Sequence, residues 1–530
     1  MTTASTAMNP QNDWRTVFAL DLRAIAAFRV GVGIVLLLML AHLWPEIPAF
    51  YTDDGILPRS SRPSLNVEEA FPGLCWQLSP YMLTGETNTV RALFLVQGFI
   101  ALALVVGWKS RWMALASWLL LVGLQARNPL IMQGGDDVLR NMLFFSLFLP
   151  LGARFSLDAR ARSLCEPQPA LPAQVAHVGS AAFILQLLCV YFFTGLLKSD
   201  PVWRTEFTAL HFAMHLDHLT TSFGYRLAAF PLLTKLLTFG TMLLEHVGPI
   251  LLLVPRLDWR ARLALVLSFM SLHIGIALCV SIGLFPFTCI VCWMALLPTE
   301  AINAAIAWGC RWSHRLTGVA TEPERLAAAT EIGGASRFGL TLASRVLLVT
   351  LVTYMLVVNV VRLNGMGVYA NLPNGPLRTI GEAAQINQYW CMFAARPAVF
   401  GGWYDMRATL ADGREVNLWN PNLPVQESRP ELVSATYPSL RWRKSCMILF
   451  ERHSPTHRAG LGEYLVRRYE RAHPDSKVVD ARIILRAAIS PDPDQSAKPA
   501  HETIIPVVLW QRSRDIGDPR EQLAILVGMQ

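Results

Sequence analysis

Apolar residues in this chain gather into long unbroken runs instead of the alternations that mark half-buried strands or surface helices. The first run is Ala24–Trp44. It is followed by Val90–Gly107, Trp112–Gln125, Val138–Gly152, Val178–Leu197, Pro231–Val254, Leu263–Val280, Ile282–Leu297 and Phe338–Val361. Such runs predict membrane helices, which need about 20 apolar residues to cross the hydrocarbon core. Several fall short of that length, and those between residues 90 and 152 predict tilted or re-entrant segments. After residue 361 the pattern changes. Asn364–Pro376 is rich in Gly, Pro and Asn and reads as a linker. Gly402–Trp419 alternates apolar and polar positions around Asp412-Gly413, a β-hairpin signal. Gly460–His473 reads as a short amphipathic helix, Val478–Ala488 and Thr503–Gln511 as strands, and Asp492–Pro499 as a disordered loop. The expected fold is an all-α polytopic membrane bundle of about eight or nine transmembrane helices, residues 1–361, followed by a soluble α+β or mainly β domain, residues 362–530.

Composition agrees with that division. The 530 residues are 53% hydrophobic and 16% charged, where soluble chains carry about 25% charged residues. Residues 1–361 hold 46 charged side chains and the much shorter remainder holds 38. The formal net charge of +8 is spread between apolar runs, which points to membrane topology and away from nucleic acid. The first 20 residues have no basic leader and no cleavage site, so the first run is expected to stay as a helix.

Basic residues alternate from one connection to the next. Arg15 and Arg23, then Lys109 and Arg111, then Arg154, Arg160 and Arg162, then Arg256, Arg260 and Arg262, then Arg311, Arg315, Arg325 and Arg337 fall on one side. The intervening connections are less basic for their length. By the positive-inside rule the N-terminus is expected in the cytoplasm. The C-terminal domain and the Lys198–Phe230 loop are then extracytoplasmic, in the ER lumen or, across a bacterial inner membrane, in the periplasm.

Ionisable groups inside apolar runs are the natural functional candidates. Arg29 lies early in the first run, where snorkelling to the interface is an equal alternative. Glu245-His246 sits mid-run, too deep to snorkel, and His273 is also mid-run. Lys198 ends Val178–Leu197 and precedes Ser199-Asp200-Pro201-Val202-Trp203. It is either an interfacial anchor or a partly desolvated amine able to act as a base. Gly134-Gly135-Asp136-Asp137 offers a helix cap, or two carboxylates for a polar headgroup, a cation or Arg140 one turn later. His211, His215 and His218 share a helical face without an acidic partner at ligand spacing, so no metal is expected. Cys289 and Cys292 read as small buried hydrophobes, and Cys391 and Cys446 as a pair that an oxidising compartment would allow to join.

Several of these segments, in this order, resemble the HTTM family, whose best-known branch is the vitamin K-dependent gamma-carboxylase. Ala26-Ala27-Phe28-Arg29 with Gly33 is similar to that family's opening A-x-F-R-x-x-x-G helix. Phe193-Thr194-Gly195-Leu196-Leu197-Lys198-Ser199-Asp200-Pro201-Val202-Trp203 resembles the carboxylase segment F-x-A-G-x-K-K-x-D-x-x-W. Leu243-Leu244-Glu245 stands where the carboxylase has Leu-Leu-Asp. His273 with Ser281-Ile282-Gly283-Leu284-Phe285 keeps the spacing from His to S-I-G-x-F, and Phe155-Ser156-Leu157-Asp158 is similar to W-S-V-D. The carboxylase's Asn-His-Ser stretch is replaced by Gly134–Asp137. Trp390–Ala394 with Gly402-Trp403 resembles bacterial HTTM proteins.

The resemblance implies a quinol-dependent oxygenase, epoxidase or carboxylase-like enzyme of the bilayer. Its cofactor would be vitamin K or a menaquinol-like quinol, and its substrate a peptide or small molecule on the non-cytoplasmic side. Lys198 would be the base, with Glu245 and His273 orienting it or relaying protons. Arg29, Asp136, Asp137, Arg140, Asp200 and Trp203 are the candidates for substrate binding. A non-catalytic maturation or scaffold protein is the alternative. A transporter fits less well, because neither an internal repeat nor a polar route from both sides is visible.

Overall fold

The computed structural model describes residues 14–64, 79–165, 172–255, 257–317, 332–333, 340–363, 379, 381, 383–398, 400–425, 427–450, 455–490, 504–517 and 519. The linker expected at 364–376 and the loop expected at 492–499 lie outside them. All nine apolar runs contain a helix: α1 Leu22–Leu43, α2 Thr87–Val106, α3 Ser110–Arg127, α4 Gly134–Ser146, α5 Val178–Leu197, α6 Pro231–Leu252, α7 Trp259–Cys279, α8 Phe285–Met294 with α9 Thr299–Thr317 after it, and α10 Leu342–Arg362. Six of the described helices, α1, α2, α5, α6, α7 and α10, are long and apolar enough to cross a membrane. A seventh span results if α8 and α9, which meet at 96°, count as one broken segment. The chain is thus a multi-pass helical protein. α4 has 13 residues, about 20 Å of helix, and its sides are almost wholly covered by neighbours.

Caps explain where the helices begin. Asp21 accepts a hydrogen bond from the Arg23 backbone at the start of α1, and its carboxylate pairs with the Arg23 guanidinium at 2.8 Å. Thr299 adds a bond to Asp21 at 2.7 Å and Asn303 accepts one from Arg23 at 2.8 Å. Here Leu20–Asp21, Gln174–Val175 and Ile332–Gly333 form a small sheet. Lys109 and Ser110 backbone amides donate to Asp158, and Arg262 reaches the Val17 carbonyl. The connections after α2, α4, α6 and α8 share these contacts and form one end of the bundle.

The connections after α1, α3, α5 and α7 form the other end, and the C-terminal domain sits on them. That domain is a four-stranded antiparallel sheet in the order β2-β1-β3-β4, with β1 Phe400–Leu410, β2 Glu415–Asn417, β3 Val478–Ile489 and β4 Ile504–Gln511. The hairpin turns at Gly413, which has φ +85°. Such a φ suits glycine, which has no Cβ to clash. α12 Pro455–Ala472 lies on β3 and β4, where Gly462 lets the Trp510 ring approach its backbone. α11 Leu440–Ile448 faces the bundle, and its Trp442 packs on Phe50 with ring centres 4.9 Å apart. The expected α+β domain is therefore present, with strands and helix near their expected places. Cys391 and Cys446 are both free thiols, so the pairing allowed by the sequence is absent.

Polar anchors fix the domain to the bundle. Arg441 of α11 grips Asp136 at the start of α4 with two bonds of 2.5 and 2.7 Å. Arg429 pairs with Asp217, Ser434 donates to the Thr220 carbonyl, and Arg467 donates to the carbonyls of Asp54 and Gly55. The strand of chain leading into the domain also enters the bundle. Arg140 binds the carbonyls of Gln385 and Asn387 at 2.8 and 3.1 Å, and buried Gln388 bonds Gln186 in the middle of α5 at 2.7 Å.

Arg441→Ala leaves the Asp136 carboxylate buried without its partner. It is expected to lower stability by about 3–5 kcal/mol, read as a fall in the thermal unfolding midpoint in detergent. Arg441→Ala combined with Asp136→Asn is expected to regain part of that loss. An unchanged midpoint in the single variant would show that the pair does not hold the domain.

Candidate functional site

α5 begins at a capping box in which His177 and Ser180 exchange hydrogen bonds. It ends because Pro201 cannot continue the hydrogen-bond ladder and Asp200 instead caps a new short helix, Pro201–Arg204. The break leaves Lys198 at the last turn of α5. Short helices Ala209–Met214 and Ser222–Ala228 follow, so the expected loop 198–230 is a folded cap packed on the first half of α6. Lys198 is only 4% exposed beneath it. Protein encloses it although it stands at a helix end.

Its partner is Glu245. Nζ donates to both carboxylate oxygens, at 2.8 and 2.7 Å, and Glu245 is also buried. The indole of Trp203 lies 4.3 Å from the ammonium, ring face to charge, an arrangement that favours a desolvated cation. Trp203 is held by its own bond from Nε1 to the Phe393 carbonyl at 3.1 Å. Close approach of α5 to α6 makes the pair possible. A Cβ on Gly195 would stand 2.9 Å from the His246 ring and 3.3 Å from Glu245 Cβ. Glycine therefore lets the helices meet where the charges meet, the usual logic of small residues between membrane helices.

The pair lines a cavity of about 1090 Å³. Its wall is mainly apolar and comes from α5, α6, α7, the cap 201–228, residues 391–393 and the C-terminal domain. Leu236, Leu237 and Gly240 of α6 face Leu272, Gly275 and Ile276 of α7 along one side. A side chain added at Gly240 or Gly275 would meet nothing, so this side is open. Tyr191 and Thr194 occupy the same face of α5 as Lys198 and also line the cavity. Tyr191 takes a hydrogen bond from Trp293 Nε1 at 2.8 Å and shares one of 2.6 Å with His273 Nε2. His273 is 2% exposed and lies in the cavity wall. Chemically, the arrangement is an apolar pocket with an ion pair, an aromatic face and a Tyr–His couple on its wall, a surround for an amphiphile with a polar head.

The site brings together Lys198, Glu245, His273 and Trp203. It sets the other candidates apart. Arg29 is at the opposite end of the bundle, where Nη2 donates to the Phe155 carbonyl at 2.5 Å and the charge of Asp158 acts on it. It is a partner of neither Glu245 nor the cavity. Asp136 is taken by Arg441, while Asp137 pairs with Arg140 at 2.7 Å. Asp200 is a helix cap. The rings of His211 and His215 lie tilted against each other with centres 4.2 Å apart, whereas His218 is in the cavity wall. Among the described residues no three His, Cys, Asp or Glu side chains converge on a metal position. Tyr191, Thr194 and Phe393 were not among the site residues expected from the sequence. The spacing 191, 194, 198 within an apolar run was the available signal for the first two.

No family model, curated protein or solved structure matches this chain.

Gly195→Val places two methyl groups against His246 and Glu245. It is expected to cost about 1–3 kcal/mol and to separate Lys198 from Glu245. Thermal unfolding measures the first effect. The rate of chemical modification of Lys198 by an amine reagent measures the second, and it should rise several-fold. Parent-like values for both would show that the two helices do not need glycine there.

Proposed function

We propose that the chain is a multi-pass membrane enzyme of HTTM type whose Lys198–Glu245 pair deprotonates the head of a lipophilic, quinol-like substrate. The observation that carries this reading is a buried lysine paired with a carboxylate on the wall of a large apolar cavity. The residues suit the group. A flat hydroxylated ring would lie among Trp203, Tyr191 and His273, and its tail would lie along the side between α6 and α7. A quinol would supply an ionisable hydroxyl and a ring that gives up electrons.

The protein's part is to hold and move a proton. In the resting pair the ammonium faces the carboxylate. When it passes one proton to Glu245, Nζ gains a lone pair. Nζ then takes the hydroxyl proton of the head group. The O–H bond breaks, an N–H bond forms, and the pair ends as ammonium and neutral carboxylic acid, one positive charge in all. That charge faces the new oxygen anion, and low polarity in the cavity strengthens their attraction. Glu245 is thus the store that lets a buried lysine become a base.

The two groups of loops support nine crossings, with α1 to α8 and α10 each running from one end of the bundle to the other. The spread of basic residues supports a cytoplasmic N-terminus and a C-terminal domain outside the cytoplasm. A reporter that works only outside the cytoplasm is expected to be active after Gln530 and silent near residue 322. Activity at both places, or at neither, would refute nine crossings.

The catalytic test uses purified protein and a quinol. Lys198→Ala is expected to lower turnover by about 10²–10⁴-fold while quinone affinity stays nearly unchanged, because a base acts mainly on the barrier. Lys198→Arg should not rescue, since guanidinium does not lose its proton at working pH. If Lys198→Arg turned over quinol like the parent, Lys198 would not be the base and the pair would be structural.

A further inference from the structure

The cavity has a second polar region, away from α5 and α6, that the ion pair does not explain. Leu440, Arg443, Lys444 and Met447 lie three and four residues apart on α11 and present one helical face to it. Among the described residues that line the cavity, Glu245 is the one acid, and Lys198 already holds it. Arg443 and Lys444 therefore face the space without a carboxylate. This is unlike their neighbour Arg441, which grips Asp136, and unlike Arg23, which grips Asp21.

Arg443 is the more telling of the two. It is 4% exposed. Nη1 donates to the carbonyls of Ser281 and His218, and Nε has no partner. Carbonyls orient a guanidinium but do not neutralise it. Burial pushes Arg443 down to about 10, so it remains charged at neutral pH. A buried cation with no counter-ion is unfavourable, and an anion in the cavity would offset that cost. Stapling α11 to the Ser281 turn explains Nη1. It explains neither the idle Nε nor the half-buried ammonium of Lys444 one residue on.

We infer that this region is a subsite for an oxyanion, a carboxylate or phosphate group, held by Arg443 and Lys444. A guanidinium fork takes two oxygens and an ammonium adds a point charge, the usual division of work between these side chains. The wall beyond them is apolar as far as the side between α6 and α7. An anionic amphiphile would lay its chain there, and a soluble oxyanion would occupy the domain side alone. The subsite stands whether or not Lys198 works as a base.

The test is titration calorimetry on the full chain in a neutral detergent, with palmitate, inorganic phosphate and hexadecanol as probes. At least one of the two anions is expected to bind once per chain, and Lys444→Gln should weaken it tenfold or more without changing hexadecanol. Binding of palmitate alone identifies a lipid-borne anion, and equal binding of phosphate identifies a soluble one. Arg443→Gln should act in the same direction. Because it also releases the Ser281 turn, Lys444→Gln, with its fold checked by circular dichroism, is the deciding variant. Binding of neither anion, or an affinity unchanged in Lys444→Gln, would overturn the subsite. So would palmitate binding that is lost in Lys198→Ala but kept in Lys444→Gln, since the anion would then belong to the ion pair.

Discussion

A lysine and a glutamate 47 residues apart meet inside an apolar bundle, and much of the surrounding structure is arranged so that neither is left alone. An unpaired charge at such depth is among the most unfavourable groups a membrane protein can hold. The pair therefore constrains its neighbours. α5 must break at Lys198, which Asp200 and Pro201 ensure. α5 and α6 must touch, which Gly195 permits. Water must be kept out, and the cap 201–228 and Trp203 cover the pair. Removing one partner leaves the other buried without its counter-charge, whereas replacing both with apolar residues would spare the packing.

The C-terminal domain is part of the same construction. Phe393 holds Trp203, which faces Lys198. The residues just before it are clasped by Arg140 and by Gln186. A segment outside the apolar runs thus completes a wall of the cavity. The cavity has two unlike regions, a paired charge beneath the cap and unpaired cations on α11.

Much of the helical scaffold was legible because its signal is local. Long apolar runs, a hairpin at Asp412-Gly413 and strands at 478 and 504 need no knowledge of distant residues. Lys198, Glu245, His273 and Trp203 could be singled out because polar groups in or beside apolar runs are conspicuous. Their pairing could not, since Arg29, Lys198 and His273 are equally available to Glu245 by composition, and only the packing of α5 on α6 chooses. The sequence likewise gave Asp136 and Arg140 the look of a ligand site. Arg441, some 300 residues on, and the carbonyls of 385 and 387 claim them instead, and no local pattern foretells such contacts. Gln385, Asn387 and Gln388 fall in the expected soluble domain, yet their partners lie inside the bundle. Lys444 and Arg443 escaped notice because a basic helix in a soluble domain is ordinary until one face of it lines a cavity.

The proposed occupant of the cavity is a lipophilic quinol with its head at Lys198 and Glu245. Photolabelling with an azido-quinone in native membranes, followed by peptide mapping, addresses it most directly. The expected label falls on α6 between Leu236 and Leu244 and on α7 near Ile276, and excess unlabelled menaquinone removes it. Label spread evenly over the lipid-facing surfaces of α2 and α10, and indifferent to competitor, would contradict the claim.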